Sequence, residues 1–322
     1  MFIKIFMGLS VAALSGGLAL AQSFPTKPIR FIIPFGPGTG SDTIGRVLAA
    51  KLTDQLGQSV IIDNRTGASG AIGTELTARA TPDGYTLVMG TNATMVTYPA
   101  LTTTVNYRAD VDFTPVSFFT RTAMMLITAN VPANPKSVSD LVGRMKTSKV
   151  TYGSNGAGTI GHLNTEIFLR KVGVSGTHVA YKGSGQSHID IIRGEVLFMT
   201  DTPAAALPSV RAGRLRALAV TGTTRLASLA DVPTFEESGI SDLKQLYAWW
   251  GVFGPKNLPS AVARKLGDEV NAAVASPDLK ARLQSLELEN FQLPREKLAD
   301  FLRDEVRFWQ QFIKQSGIKL DP

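Results

Sequence analysis

Between residues 29 and 56 a β-branched run, a turn rich in glycine and proline, and an amphipathic helix follow one another. This order recurs along most of the chain, and it restricts the fold more than any other feature. Apolar runs at 29–33, 60–63 and 85–89 read as strands. Segments 41–56 and 71–80 show the three-and-four spacing of helices. Gly57 sits where a helix C-terminus favours glycine. Pro82-Asp83-Gly84 supplies a tight turn before the third strand. Repeated βα units of this length imply mostly parallel sheets covered by helices. A second block begins after 124–129. Helices are expected near 137–145, 159–172, 186–193 and 204–212, with strands at 150–152, 178–180, 196–200 and 215–221. A strand at 247–253 follows, then helices at 260–275, 277–285 and 295–315. These last helices have no alternating strands and must pack on the first block. The economical architecture is α/β with two lobes and a hinge. Residues 22–122 plus 223–322 form one lobe and 123–222 the other, with crossings near 121–123 and 221–224.

Residues 1–21 carry one basic residue, Lys4, then an apolar run and small residues ending Ala19-Leu20-Ala21. This is the layout of a signal peptide cleaved after Ala21, and it predicts an exported, periplasmic product. The chain has no cysteine. Thiol catalysis, thiolate zinc sites and a cysteine-linked lipid anchor are thereby excluded. A hydrophobic content of 44% supports a real core without disulfides. The formal charge is +7, and the basic residues are dispersed rather than gathered in an arm. That distribution suits a small anion and not nucleic acid.

Ligands of such sheets bind beyond the C-terminal ends of strands. Five segments occupy those positions. The first runs Phe35-Gly36-Pro37-Gly38-Thr39-Gly40-Ser41-Asp42, and the second contains Thr91-Asn92. The third is Gly153-Ser154-Asn155-Gly156-Ala157-Gly158-Thr159, leading into a helix that carries His162. The fourth is Tyr181-Lys182-Gly183-Ser184, and the fifth Asp201-Thr202. They offer backbone N–H and hydroxyl donors and few cations. A helix N-terminus holds an anion in this way. Ser41 and Thr159 also qualify as helix N-caps, a role that needs no ligand. His162 either donates to a carboxylate or anchors its helix in the core. Asp42 complements the helix dipole or orients its loop. Arg121, at the first crossing, either clamps a second carboxylate or is a solvated strand end. One of Trp249 and Trp250 is expected in the core and the other on the pocket wall.

Competing patterns fail on spacing. Gly36-x-Gly38-x-Gly40 is not the GxGxxG of dinucleotide binding, and Pro37 removes an N–H there. No P-loop and no GxSxG elbow is present. His162 and Glu166 are two metal ligands without a third. No metal and no cofactor is expected.

Several stretches resemble the Bug-type, TctC-like solute-binding proteins of tripartite tricarboxylate transporters. They include 24–30, the loop to Asp42, Asn64-Arg65-Thr66-Gly67-Ala68-Ser69-Gly70, Pro82-Asp83-Gly84-Tyr85-Thr86-Leu87, Asp112-Phe113-Thr114-Pro115-Val116, Gly161-His162-Leu163 and 178–183. The resemblance covers nearly all of the chain after residue 24. It implies a type II Venus-flytrap fold and no enzymatic activity. It implies a ligand such as a C4–C6 dicarboxylate or an aromatic acid like terephthalate. It also implies delivery to inner-membrane transporter subunits, with the receptor expected as a monomer. The matching site positions are 35–42, Thr91-Asn92, 154–159, His162, 181–184 and Asp201. Where the family's first loop usually reads Pro-Gly-Gly, this chain has Pro37-Gly38-Thr39.

Overall fold

The computed structural model describes residues 24–241, 243, 246–316 and 318. The leader expected at 1–21 lies outside the described residues. Among these residues the strands are β1 Ile29–Ile33, β2 Val60–Asn64, β3 Thr86–Thr91, β4 Phe113–Ala123, β5 Met125–Ala129, β6 Thr151–Ser154, β7 Thr177–Ala180, β8 Phe198–Asp201, β9 Leu215–Val220, β10 Tyr247–Pro255 and β11 Glu289–Asn290. They form two sheets. One runs in the order β11-β4-β10-β3-β1-β2 and the other β7-β6-β8-β5-β9.

Each sheet has the parallel βα core that the sequence predicts. β1 pairs in parallel with β2 and β3, and β6 with β7 and β8. Each sheet also has an inserted strand that runs against both of its neighbours, and in the first sheet the short β11 pairs antiparallel with β4 as well. β10 lies between β3 and β4, and β5 lies between β8 and β9, both antiparallel. These two are the strands that enter each sheet after a crossing. Side-chain alternation along β5 serves two cores. Met125, Ile127 and Ala129 pack with Ile191, Met199 and Val220 on one face, while Leu126 joins the larger cluster on the other.

The crossing is stitched at Met124 and Thr221. Thr221 N donates to Met124 O, Met124 N donates to Thr221 Oγ1, and that hydroxyl donates to Leu246 O, each at 2.8 Å. The return differs from expectation. After β9 the chain does not enter the first lobe at 223. Thr234 bridges to Val220 in parallel, Phe235 N donates to Val220 O, and the Phe235 ring packs 5.4 Å from Phe168. Residues 232–240 thus lie against the second sheet, while Ala227 N and Ser228 N donate to Glu287 of the first lobe, and the next strand of the first sheet is β10. The apolar positions of 232–240 fill an edge that β9 would otherwise leave open.

The late helices pack on the first sheet as expected. β4 is not among the strands expected from the sequence, and most of its residues are buried. Phe118 is the centre of its aromatic core. Its ring lies 5.0 Å from Trp249, 5.5 Å from Phe253 and 4.6 Å from Phe301, all edge-on. Among the described residues no helix is long and apolar enough to cross a membrane. Phe118→Ala is expected to cost about 3–5 kcal/mol of stability, measured by denaturant unfolding. A loss below 1 kcal/mol would show that this cluster does not hold the first lobe.

Candidate functional site

The same seven-residue device occurs twice, at 36–42 and at 156–162. In both copies a threonine caps a long helix, Gly40–Leu56 in the first lobe and Ile160–Val172 in the second. Thr39 Oγ1 donates to Gly36 O (2.9 Å) and accepts from Asp42 N (3.2 Å). Thr159 Oγ1 donates to Gly156 O (2.8 Å) and accepts from His162 N (3.4 Å). The side chain three residues after each cap reaches back to the glycine before it. Gly38 N donates to Asp42 Oδ2 (3.1 Å), and Gly158 N donates to His162 Nδ1 (3.0 Å). Both glycines have positive φ, +80° and +75°, a conformation that a side chain would strain. The caps satisfy the third helical amide of each helix. The first two, at Gly40 and Ser41 and at Ile160 and Gly161, have no acceptor within their helices.

All four of these residues line one cavity of about 60 Å³ between the lobes. Helix geometry brings amides and positive dipole ends to it from both sides. Of the residues singled out in the sequence, Phe35, Thr39, Thr91 and Asn92 line it from the first lobe and Asn155, Thr159 and Asp201 from the second. Both Trp249 and Trp250 line it, not one. Each indole is pinned. Trp250 Nε1 donates to Ser41 Oγ (2.8 Å), and Trp249 Nε1 donates to Glu305 Oε2 (2.7 Å). Ser41 is therefore a partner of a tryptophan, and the cap is Thr39. Among the lining residues Asp201 is the one carboxylate, and there is no lysine or arginine. Asp201 is already served: Asn155 Nδ2 (3.0 Å) and Thr202 N (2.7 Å) donate to its Oδ1, and His188 Nε2 lies 3.0 Å from Oδ2. Thr202 Oγ1, buried on the cavity wall, has no protein hydrogen-bond partner. The sequence places Thr202 beside Asp201 in the fifth strand-end segment without singling it out as a ligand contact. The pair Thr202-Pro203, an N-cap followed by proline at the first helical position, carries the missing signal. Ile160 and Gly161 were also passed over, because their contribution is backbone and not side chain.

Other expected residues serve the loops. Ser154 Oγ donates to Gly156 O (3.0 Å) and pairs with His178 Nε2 (2.7 Å). His162 is buried behind the cavity, stacked 4.1 Å from the His178 ring. Its Nδ1 accepts a backbone N–H, and burial lowers its pKa to about 4. It is a loop anchor, the counterpart of Asp42. Burial of Asp42 works against its ionisation. Bonds from Arg46, Asn64 and Gly38 N outweigh that and hold its pKa below the usual value. Arg121 is placed elsewhere. Its guanidinium pairs with Glu289 (3.1 Å) across the β4–β11 edge and stacks on the Tyr247 and Phe291 rings. It does not line the cavity, because a partner 168 residues away claims it first.

Gly156, Tyr181 and Lys182 line a second chamber between the lobes, about 340 Å³, which shares Phe35 and Asn155 with the first. Gly183 N-caps the Ser184–Arg193 helix opposite the Thr39 methyl. The lobes are in contact at the rim. Ser69 Oγ donates to Ala157 O and Thr97 Oγ1 to Gly158 O, both 2.5 Å. A Cβ on Gly36 would lie 2.8 Å from Lys182 O, and one on Gly40 2.4 Å from Thr202 Oγ1. The bare backbone at both positions is what lets the first loop approach the second lobe.

The architecture is that of a two-lobe binding protein with its site at the hinge cleft. The chain matches the tripartite tricarboxylate transporter family receptor (TctC) over residues 44–318, and it belongs to that family. It is 32% identical over 307 residues to protein BugT of Bordetella pertussis, covering 93% of this chain and 92% of BugT. Among solved structures it is similar to Rpa4515 of R. palustris with adipate, at 31% identity and a TM-score of 0.88, covering 92% of this chain and 99% of that one. It is also similar to MatC of Rhodopseudomonas palustris with bound malate, at 29% identity and a TM-score of 0.83, covering 90% and 100%. The family is one of solute-binding receptors, so the chain is a receptor and not an enzyme.

Two outcomes are expected. Ser69→Ala combined with Thr97→Val removes two rim bonds, worth about 0.5–1.5 kcal/mol each. Small-angle X-ray scattering should then read a larger radius of gyration than wild type; an unchanged radius would show that the rim bonds do not hold the lobes. His162 governs acid sensitivity. Below pH 6.5 the unfolded chain takes up a proton that the folded chain refuses until about pH 4. Stability falls as pH drops through that window, by up to about 3 kcal/mol from this residue. His162→Gln, which keeps an acceptor for Gly158 N, should flatten that loss in urea unfolding between pH 7 and pH 4.5. An unaltered slope would assign the loss to other groups.

Proposed function

We propose that this protein is a periplasmic receptor, freed of its leader after Ala21 and acting as a monomer. It captures a small carboxylate by lobe closure and delivers it to the membrane subunits of a tripartite tricarboxylate transporter. One observation carries this reading. Two threonine-capped helix N-termini, from opposite lobes, open on one cavity that has no cation in its lining. A carboxylate gathers several short N–H and O–H bonds there without a counter-charge to desolvate. Thr202 Oγ1 adds a buried hydroxyl that needs a partner. The apolar wall of Phe35, Met124, Trp249 and Trp250 receives the carbon body. Adipate and malate in the two structural relatives support a dicarboxylate. An aromatic acid such as terephthalate fits the same polar and apolar division by extending into the second chamber past Phe35 and Asn155.

A thermal-shift screen tests the reading with acetate, succinate, malate, adipate, citrate, benzoate and terephthalate. The true ligand class stabilises by about 2.7 kcal/mol at a hundredfold excess over Kd, and the acid is recovered unaltered. A protein indifferent to every acid, or one that returns a product, contradicts it.

A further inference from the structure

Glu305 lies on the Arg295–Ser316 helix and does not line the cavity, yet it bonds to the cavity wall. Its carboxylate accepts from the indole N–H of Trp249 (2.7 Å). Trp309, one turn along the same helix, also favours the charged form of Glu305. Trp249 is held at a second point by its backbone N, which donates to Asn92 Oδ1 (2.8 Å), and Asn92 itself lines the cavity. The indole ring lies between the cavity and the aromatic core, edge-on to Phe118 at 5.0 Å and Phe301 at 6.0 Å.

A buried indole N–H needs an acceptor, but a neutral one suffices. A carboxylate costs more to desolvate, and burial raises the pKa of Glu305 above the usual range. What it adds is a charge-assisted bond, roughly twice as strong as a neutral one and directional. Such a bond fixes the tilt of a flat side chain. Here that side chain is the wall against which a ligand's carbon body rests.

We propose that Glu305 is a positioning residue of the binding site: the C-terminal helix, through the Trp249 indole, sets the shape of the cavity wall and hence the affinity for the anion. The identity of the anion rests on the carboxylate reading above; the tether does not.

The test titrates wild type, Glu305→Gln, Glu305→Leu, Trp249→Phe and Trp309→Phe with malate, adipate and terephthalate, with tryptophan emission recorded before ligand. Glu305→Gln keeps an acceptor and should bind within about twofold of wild type. Glu305→Leu should bind about five- to tenfold more weakly, and its ligand-free emission should shift, with glutamine restoring the wild-type spectrum. Trp309→Phe changes the buried indole one turn from Glu305 and should lower stability without altering affinity. Should Glu305→Leu not fold, Trp249→Phe carries the comparison and should show the same weakening. Wild-type affinity in folded Glu305→Leu or Trp249→Phe overturns the proposal. So does a Trp309→Phe loss equal to that of Glu305→Leu, which would mark a purely structural role. Wild type indifferent to these three and to every other acid of the screen above overturns the carboxylate reading instead. Emission then decides the tether alone, and an unchanged spectrum in Glu305→Leu rejects it.

Discussion

The first amides of an α-helix have no acceptor within the helix, and much of this structure follows from where two such ends are put. Thr39 and Thr159 each satisfy one amide of their helix and leave the two before it facing the cleft. The loops that allow this are copies of one another, down to the residue that ties back to the preceding glycine. One copy uses a carboxylate that its surroundings keep charged. The other uses an imidazole that burial keeps neutral. Both solve the same problem, which is to hold a glycine-rich turn rigid enough to present its backbone.

Closure depends on the same loops. Gly36 and Gly40 leave room for Lys182 O and Thr202, and the rim hydroxyls of Ser69 and Thr97 reach the carbonyls beside the second capping threonine. The binding surface and the closing surface are therefore built from shared residues. On the proposed reading, a carboxylate that bridges the two helix ends would add to bonds the rim already makes, so affinity and closure would move together. Behind this surface the two indoles are fixed, one to Ser41 and one to the C-terminal helix. The apolar wall is thus held independently of lobe movement.

Much of this was legible in the sequence, because βα periodicity and glycine-rich strand ends are local signals. The polar cavity lining from Thr39 to Asp201 followed from the strand-end rule alone. What escaped was long-range. For Arg121 the sequence left a clamp and a solvated strand end open, because its partner Glu289, on a two-residue strand, lies far along the chain. For His162 the sequence left a donor and a core anchor open, because spacing does not reveal which ring nitrogen is already occupied. Ser41 looked like a cap because the cap moves by two residues when a turn contains several glycines. The path of 232–240 turned on one backbone bridge at Thr234, which no pattern announces. The departure at Thr39 from the family's Pro-Gly-Gly loop has a structural meaning. Its hydroxyl is the cap, and its methyl faces Gly183 of the opposite lobe.

The central claim is that main-chain amides from both lobes hold the anion. A crystal structure with the most stabilising acid bound tests it directly. The account predicts carboxylate oxygens within about 3 Å of the amides at Gly40 or Ser41 and at Ile160 or Gly161. A carboxylate held by lysine or arginine side chains, with those amides pointing at water, would contradict it.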